Sequence, residues 1–225
     1  MKTKIISLII LMLVLIPVCL YADDIDKELL ESISISNCDF DEVKRLVDKG
    51  ADVNYMHRTR IGLIETPLNK AINYGSLEVV TYLVESGADV NLFSKGQDKD
   101  QPGALHSAVS EGNYSIVEYL IMQGADIDKR DGVGNTPLRW AAHRGNVKVI
   151  ELLLAKGADV NNINKYKSTP LIAAVDGGHV RATKLLIKSG AKVNIKDHWG
   201  KTALDYAKEN DFRYLIKILE DAGAK

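Results

Sequence analysis

The chain has 225 residues, 46% hydrophobic and 26% charged, enough to bury a core and too balanced for a disordered or collagen-like polymer. Its formal charge of −1 excludes the basic excess that whole-chain nucleic-acid binding needs, and two cysteines with no C-x-x-C pair exclude a disulfide scaffold and a cysteine-built zinc site. Stability must come from packing.

The chain opens on Lys2 and Lys4, followed by an apolar run from Ile5 to Leu20 broken only by Ser7, Pro17 and Cys19. A membrane span needs about 20 apolar residues; this run has 16 and carries a proline near its end. The pattern reads as an export signal. Ala22 is the small residue before the cut, so residues 1–22 are expected to be cleaved and residues 23–225 to form the mature chain, exported to the periplasm or secreted, without stable membrane insertion. Lipidation at Cys19 is an alternative, poorly served by Pro17 and Val18 where small residues are usual; retention as an uncleaved anchor is another. Cleavage leaves 27 basic against 30 acidic residues and Cys38 as the single thiol, read as a packed small residue rather than a nucleophile.

Beyond the signal, the chain is periodic. Gly-Ala begins at Gly50, Gly87, Gly124, Gly157, Gly190 and Gly223, spaced 37, 37, 33, 33 and 33 residues apart. A second marker runs in step, at Thr66-Pro67-Leu68, Gly103-Ala104-Leu105, Thr136-Pro137-Leu138, Thr169-Pro170-Leu171 and Thr202-Ala203-Leu204, always 21 residues before the next Gly-Ala. Thr before Pro starts a helix, because the hydroxyl caps free N–H groups and proline sits in the first turn, where no N–H is needed. That short helix should stop near Gly75, Gly112, Gly145 and Gly178. A second helix follows with apolar residues at helical spacing, such as Val149-Ile150-Leu153-Leu154, and the Gly of Gly-Ala ends it as a left-handed cap. Two such helices cannot bury their apolar faces alone, so each unit must lie on its neighbours.

The ends depart from the pattern as end units should. Leu29 and Leu30 stand in place of Thr-Pro in the first unit, and Cys38 takes its inter-helix glycine slot. In the last unit Asp211 takes that slot, and Arg213, Lys217, Glu220 and Asp221 give its second helix a polar outer face. The expected divisions are an N-terminal cap unit 28–65, repeats 66–102, 103–135, 136–168 and 169–201, and a C-terminal cap unit 202–225.

With these markers, and above all the runs from Asp131 to Leu138 and from Asp197 to Leu204, the chain resembles the ankyrin repeat family over residues 28–225. The resemblance implies an all-α solenoid of about six stacked helix-turn-helix units with projecting β-hairpin fingers, most often used to bind proteins. The family's His after Thr-Pro-Leu stands here only as His106, replaced by Asn69, Arg139, Ile172 and Asp205.

Function is therefore sought on the fingers and the first helices. The recurring Asp-x-Asn, as at Asp159 and Asn161, lacks the oxygen set of a calcium loop and reads as backbone bonding at the entrance to each finger; no metal or other cofactor is expected. The five histidines fall at different repeat positions, and no nucleophilic triad or phosphate-binding glycine loop can be assembled, so the chain is not expected to be an enzyme. Fingers taken as 55–65, 92–102, 129–135, 162–168 and 195–201 carry ten basic residues against five acids, a +5 edge on an acidic body that would steer an acidic protein partner.

The residues expected to bind it are Tyr55, Met56, His57 and Arg58 in the first finger, Phe93 and Lys95 in the second, and Arg130, Tyr166, His198 and Trp199 in the later fingers. Trp140, His143 and Arg144 join them on the first-helix face, inter-repeat packing being the favoured reading of Trp140. The first two fingers are each four residues longer than the rest, with Leu92 and Phe93 taken as exposed apolar residues at a tip. The reading is an exported monomer that binds another protein, as an envelope inhibitor or chaperone. A secreted effector that binds a host protein, and an enzyme or ligand-binding protein on the same scaffold, are the alternatives.

Overall fold

Helices begin where the sequence supplies a cap. In a computed structural model, which describes residues 24–34, 39–59, 64–94 and 101–225, Thr66 Oγ1 accepts from Asn69 N at the head of α3 (Pro67–Asn73). Thr136 and Thr169 cap α7 (Pro137–Arg144) and α9 (Pro170–Asp176) in the same way. At α11 (Ala203–Glu209) the bond is reciprocal, since Asp205 Oδ2 accepts from Thr202 N at 2.7 Å. Gly103 has no side chain to offer α5 (Ala104–Glu111); its own N–H is taken by His106 Nδ1 at 3.3 Å.

Each of these helices is followed, after a two- or three-residue turn, by a second: α4 (Leu77–Glu85), α6 (Tyr114–Met122), α8 (Val147–Ala155), α10 (Val180–Lys188) and α12 (Arg213–Asp221). They are preceded by a helix over residues 24–32 (α1) and by α2 (Phe40–Asp48), which Asp39 caps. The glycines of Gly-Ala are all left-handed, Gly157 at φ +95°, as a helix-ending cap requires. Among the described residues two non-glycines share that region, Asp211 at φ 51° in the inter-helix slot and Lys167 at φ 54° in the finger slot that Gly134 and Gly200 fill.

The described residues fall into two compact units, up to Asp89 and from Val90. In the first, α3 packs on α4 and α2 on α4, with Leu29, Ile33, Leu46, Ile72 and Leu83 fully buried. The second has two helix layers: α5, α7, α9 and α11 pack in sequence, and α6, α8, α10 and α12 do the same behind them. Leu120, Leu138, Leu153, Leu171 and Leu186 fill its core. Within each unit this is the all-α arrangement of stacked helix pairs that the resemblance implied.

Within the first finger β1 (His57–Arg58) pairs antiparallel with β2 (Ile64–Glu65), His57 opposite Glu65. The last three fingers close as tight loops instead, the first of these three by Asp131 N to Asn135 O at 3.0 Å. Asn residues clip one turn to the next: Asn161 Nδ2 donates to Gly190 O and Asn161 Oδ1 accepts from Lys192 N. Asn54, Asn91 and Asn194 make the same pair of bonds to Gly87 and Asp89, Gly124 and Asp126, and Gly223 and Lys225. The expected role of Asp-x-Asn at the finger entrance is thus met, and extended across repeats. Residues 1–22, read above as an export signal, with Cys19, and also Cys38, Arg60, Lys95 and Lys99, lie outside the described residues.

Candidate functional site

Three fingers of the second unit share one construction. Asp131, Asn164 and Asp197 occupy the same register, and all three are buried. Each uses Oδ1 to accept backbone N–H groups two and four residues ahead: Val133 and Asn135, Tyr166 and Ser168, Trp199 and Lys201, all at 2.8–3.0 Å. This side-chain turn fixes the backbone and leaves the residue at its apex facing outward. Those apex residues are Val133, Tyr166 and Trp199, 39%, 48% and 62% exposed. Neighbouring tips are joined through backbone, Lys165 N to Val133 O and His198 N to Tyr166 O, both at 2.9 Å. The rings of Tyr166 and Trp199 stack at 5.7 Å and 20°, with the His198 ring edge-on to Trp199 at 5.9 Å.

The second carboxylate oxygen of each Asp turns toward the first helices. Asp131 Oδ2 accepts from Trp140 Nε1 at 2.9 Å, and Asp197 Oδ2 from the Tyr206 hydroxyl at 2.6 Å. Burial pushes the Asp131 carboxyl up, but hydrogen bonds from Asn135 and Trp140 outweigh it and hold the group below the ordinary carboxylate range. Tyr206 is pushed up by burial and by its bond to Asp197. The finger acids are therefore spent inward. What the edge presents to solvent is Arg130, Lys165, Lys167 and Lys196, with Ile163 exposed beside them and bonded through its carbonyl to Arg130 Nη1 at 2.8 Å.

The shared register of Trp140 and Tyr206 is explained by this: each ties a first helix to the finger of the preceding repeat, and Trp140 also lies edge-on to buried His106 at 5.7 Å. Burial pushes His106 down, consistent with a neutral ring that accepts from Gly103 N and donates to Asn135 O. Trp140 is half-buried with its N–H committed, so the packing reading holds for its polar edge. Its ring still lines an open pocket of about 510 Å³ with Asn135, Arg139, His143, Arg144 and Asp176. His143 and Arg144 are exposed there, Arg144 Nη2 bonding Ser110 Oγ at 3.0 Å.

In the first unit Tyr55 and His57 stack at 6.5 Å beside exposed Met56 and Arg58. One expectation fails in the second unit. Phe93 is not an exposed tip residue: it is 3% exposed, turned inward by a 3-10 turn over Leu92–Ser94, with its carbonyl accepting from Lys129 Nζ at 2.6 Å. An apolar ring in a long polar loop is drawn into the core when one lies within reach, since burial of a Phe is worth ~1.5–3 kcal/mol. The structure thus gathers Tyr166, His198 and Trp199 into one surface with Arg130 close by, gathers Trp140, His143 and Arg144 into a pocket wall, and removes Phe93. Sequence reasoning missed Val133 and Ile163, whose registers beside Tyr166 and Arg130 were available to be compared, and Arg139.

Among the described residues no group of three or more His, Cys, Asp or Glu is placed to hold a metal ion, and no helix is long and apolar enough to cross a membrane. The family model describing ankyrin repeats (3 copies) matches residues 29–131, 92–164 and 138–225. Comparison with curated proteins gave no match.

Proposed function

We infer the role of this chain from the premise that it belongs to the ankyrin-repeat family, whose repeats are protein–protein interaction modules. The partner docks on the finger edge, with Tyr166 and Trp199 as its anchors. The observation that carries this is the exposed, stacked Tyr166–Trp199 pair on a backbone already fixed by Asn164 and Asp197. Aromatic residues held rigidly at low entropy cost are where binding energy concentrates. Outward basic residues and inward acids favour a partner with an acidic surface, through encounter rate more than final affinity.

The leader-like residues 1–22 place the binding event outside the cytoplasm in this reading, in the periplasm or beyond the cell, where the chain holds another exported protein as an inhibitor or chaperone. The test is affinity capture from native envelope extract with mass spectrometry, using the parent chain and Tyr166→Ala/Trp199→Ala. The parent is expected to enrich one exported protein and the double variant to lose it by at least about tenfold, ~1.4 kcal/mol. Equal capture by both would remove the finger edge as the docking surface.

A further inference from the structure

Arg139 is the third residue of α7 and lies in the register of His106, Ile172 and Asp205. His106 and Asp205 have their polar needs met locally, by Gly103 and Asn135 and by Thr202, and Ile172 has none. Arg139 differs. Its Nη2 donates to the neutral Ser168 hydroxyl at 3.1 Å, while its Nε–H is buried and has no partner. The nearest carboxylates do not complete it. Asp131 is already filled by Val133, Asn135 and Trp140, and among the described residues Arg139 forms no ion pair with Asp176.

Arg139 is half-buried, and a guanidinium Nε–H held out of solvent with no acceptor is costly. The fold does not need it, because the next repeat fills the same register with Ile172. The half-exposed guanidinium can instead meet an acceptor from outside on its pocket side. Arg139 forms part of the wall of the open pocket of about 510 Å³ on the first helices, with Arg144 and His143 along the same wall and Asp176 as its one acid.

We propose that this pocket is a carboxylate site, in which the Arg139 guanidinium receives the side chain of an Asp or Glu from the bound protein. A planar fork of donors matches a carboxylate in a way that a lysine does not. A dianionic phosphate would face Asp176 with twice the charge, so the monovalent carboxylate is the better fit. The inference rests on the reading of the chain as a protein-binding module, and adds a second, deeper contact to the finger edge.

The experiment uses the full mature chain labelled with ¹⁵N and follows two resonances, Arg139 Nε–H and Trp140 Nε1–H. The probes are N-acetyl-glutamate-N-methylamide, whose only charge is the side-chain carboxylate, its glutamine analogue, acetate and O-phosphoserine. The blocked glutamate is expected to shift both resonances saturably, with half-saturation at about 10 mM or below, and the glutamine analogue to bind at least about tenfold more weakly. Asp176→Asn should tighten the glutamate probe. Arg139→Ile should abolish the Trp140 response while leaving the melting temperature unchanged or higher, since a half-buried guanidinium with an unpaired Nε–H has been replaced by the residue that the next repeat uses.

A drop of several degrees in Arg139→Ile would make the guanidinium structural and overturn the proposal, as would no saturable shift with the glutamate probe. Acetate binding as tightly as the blocked glutamate would overturn its assignment to a protein side chain, and tighter O-phosphoserine binding its assignment to a carboxylate. Capture of a native partner by a chain that shows no carboxylate response would sink this inference alone and leave the finger edge standing. A carboxylate response without any captured partner would instead sink the binding-module reading on which it rests.

Discussion

The first finger and the three later ones solve the same problem differently. Residues 55–65 are long enough for a two-residue ladder, so their shape is set by strand register between His57–Arg58 and Ile64–Glu65. The fingers around Asp131, Asn164 and Asp197 are too short for a ladder and are shaped by one buried side chain each. A loop ordered by a single buried acceptor presents its apex residue in one fixed place, and can carry an anchor. A loop ordered by backbone pairing has more adaptable side chains and tolerates changes of length. The difference predicts where single substitutions hurt.

The largest effect is expected from Asp197→Ala. It strips the partner from Trp199 N, Lys201 N and the Tyr206 hydroxyl at once, and leaves donors unsatisfied, a loss of about 3 kcal/mol. Urea unfolding measures it, and the Tyr166–Trp199 surface should be lost with it. Asp197→Asn keeps the Oδ1 acceptor, as Asn164 does one repeat earlier, and should cost about 1 kcal/mol or less. Equal losses for the two variants would mean that charge rather than loop geometry holds this finger.

Shortening the first finger by four residues probes the other side of the comparison. Loop-closure entropy changes by only a few tenths of a kcal/mol for such a deletion, so the melting temperature should move by no more than a few degrees. Capture of the native partner should nevertheless weaken by about tenfold, ~1.4 kcal/mol, if Tyr55, Met56, His57 and Arg58 belong to the contact surface. Unchanged capture would leave the extra residues as neutral length variation.

What was legible in the sequence follows the range of the forces involved. Thr66, Thr136, Thr169 and Thr202 cap helices through bonds to residues three positions ahead, so the pattern was readable without the fold. The left-handed glycines were readable for the same reason. Phe93 was not, because its burial depends on core surface contributed by distant residues. Asp131 and Asp197 entered the charge count of the finger edge as if they faced solvent, yet their inward turn was encoded in bonds to the second and fourth residues ahead. The unpartnered Nε of Arg139 could not be seen at all, since its one bonded neighbour, Ser168, lies 29 positions away and an absent ion pair leaves no mark on a sequence.

The Asn ladder contains a rung that breaks its own rule. Asp128 stands where Asn161 and Asn194 stand in later turns, and it can accept from Asp159 N but, ionised, cannot donate to the Gly157 carbonyl. Burial raises its pKa, with Asp159 and Asp126 adding like charge. A carboxyl with a raised folded pKa binds its proton more tightly in the native state. Its contribution is therefore greatest at acid pH and is lost as pH rises from the unfolded carboxylate range through the higher folded one. Asp128→Asn should stabilise the protein by about 1 kcal/mol at neutral pH, by restoring the donated bond. The gain should shrink as pH falls into the carboxylate range. A gain independent of pH would mean that ionisation of Asp128 is not what weakens the rung.

The smallest effect separates backbone strain from side-chain function within one register. Gly134, Lys167 and Gly200 hold the same left-handed position in three consecutive fingers, at φ 86°, 54° and 77°. A residue with a Cβ pays ~1–2 kcal/mol to sit there, whereas glycine pays more backbone entropy on folding, roughly 0.4–1 kcal/mol. The two nearly cancel, so Lys167→Gly should raise stability by no more than about 1 kcal/mol, while Lys167→Val should lower it by more than that, its β-branch having no accommodation in this region. Lys167→Asn keeps the fold and removes only the charge. If the finger edge recruits an acidic partner, the Gly and Asn variants should slow association equally and at low salt only, because an exposed charge acts within a Debye length of about 8 Å at physiological ionic strength. Slower association by Gly alone would place the effect in loop flexibility, and no change in either would remove Lys167 from the electrostatic edge while leaving the Tyr166–Trp199 anchor untouched.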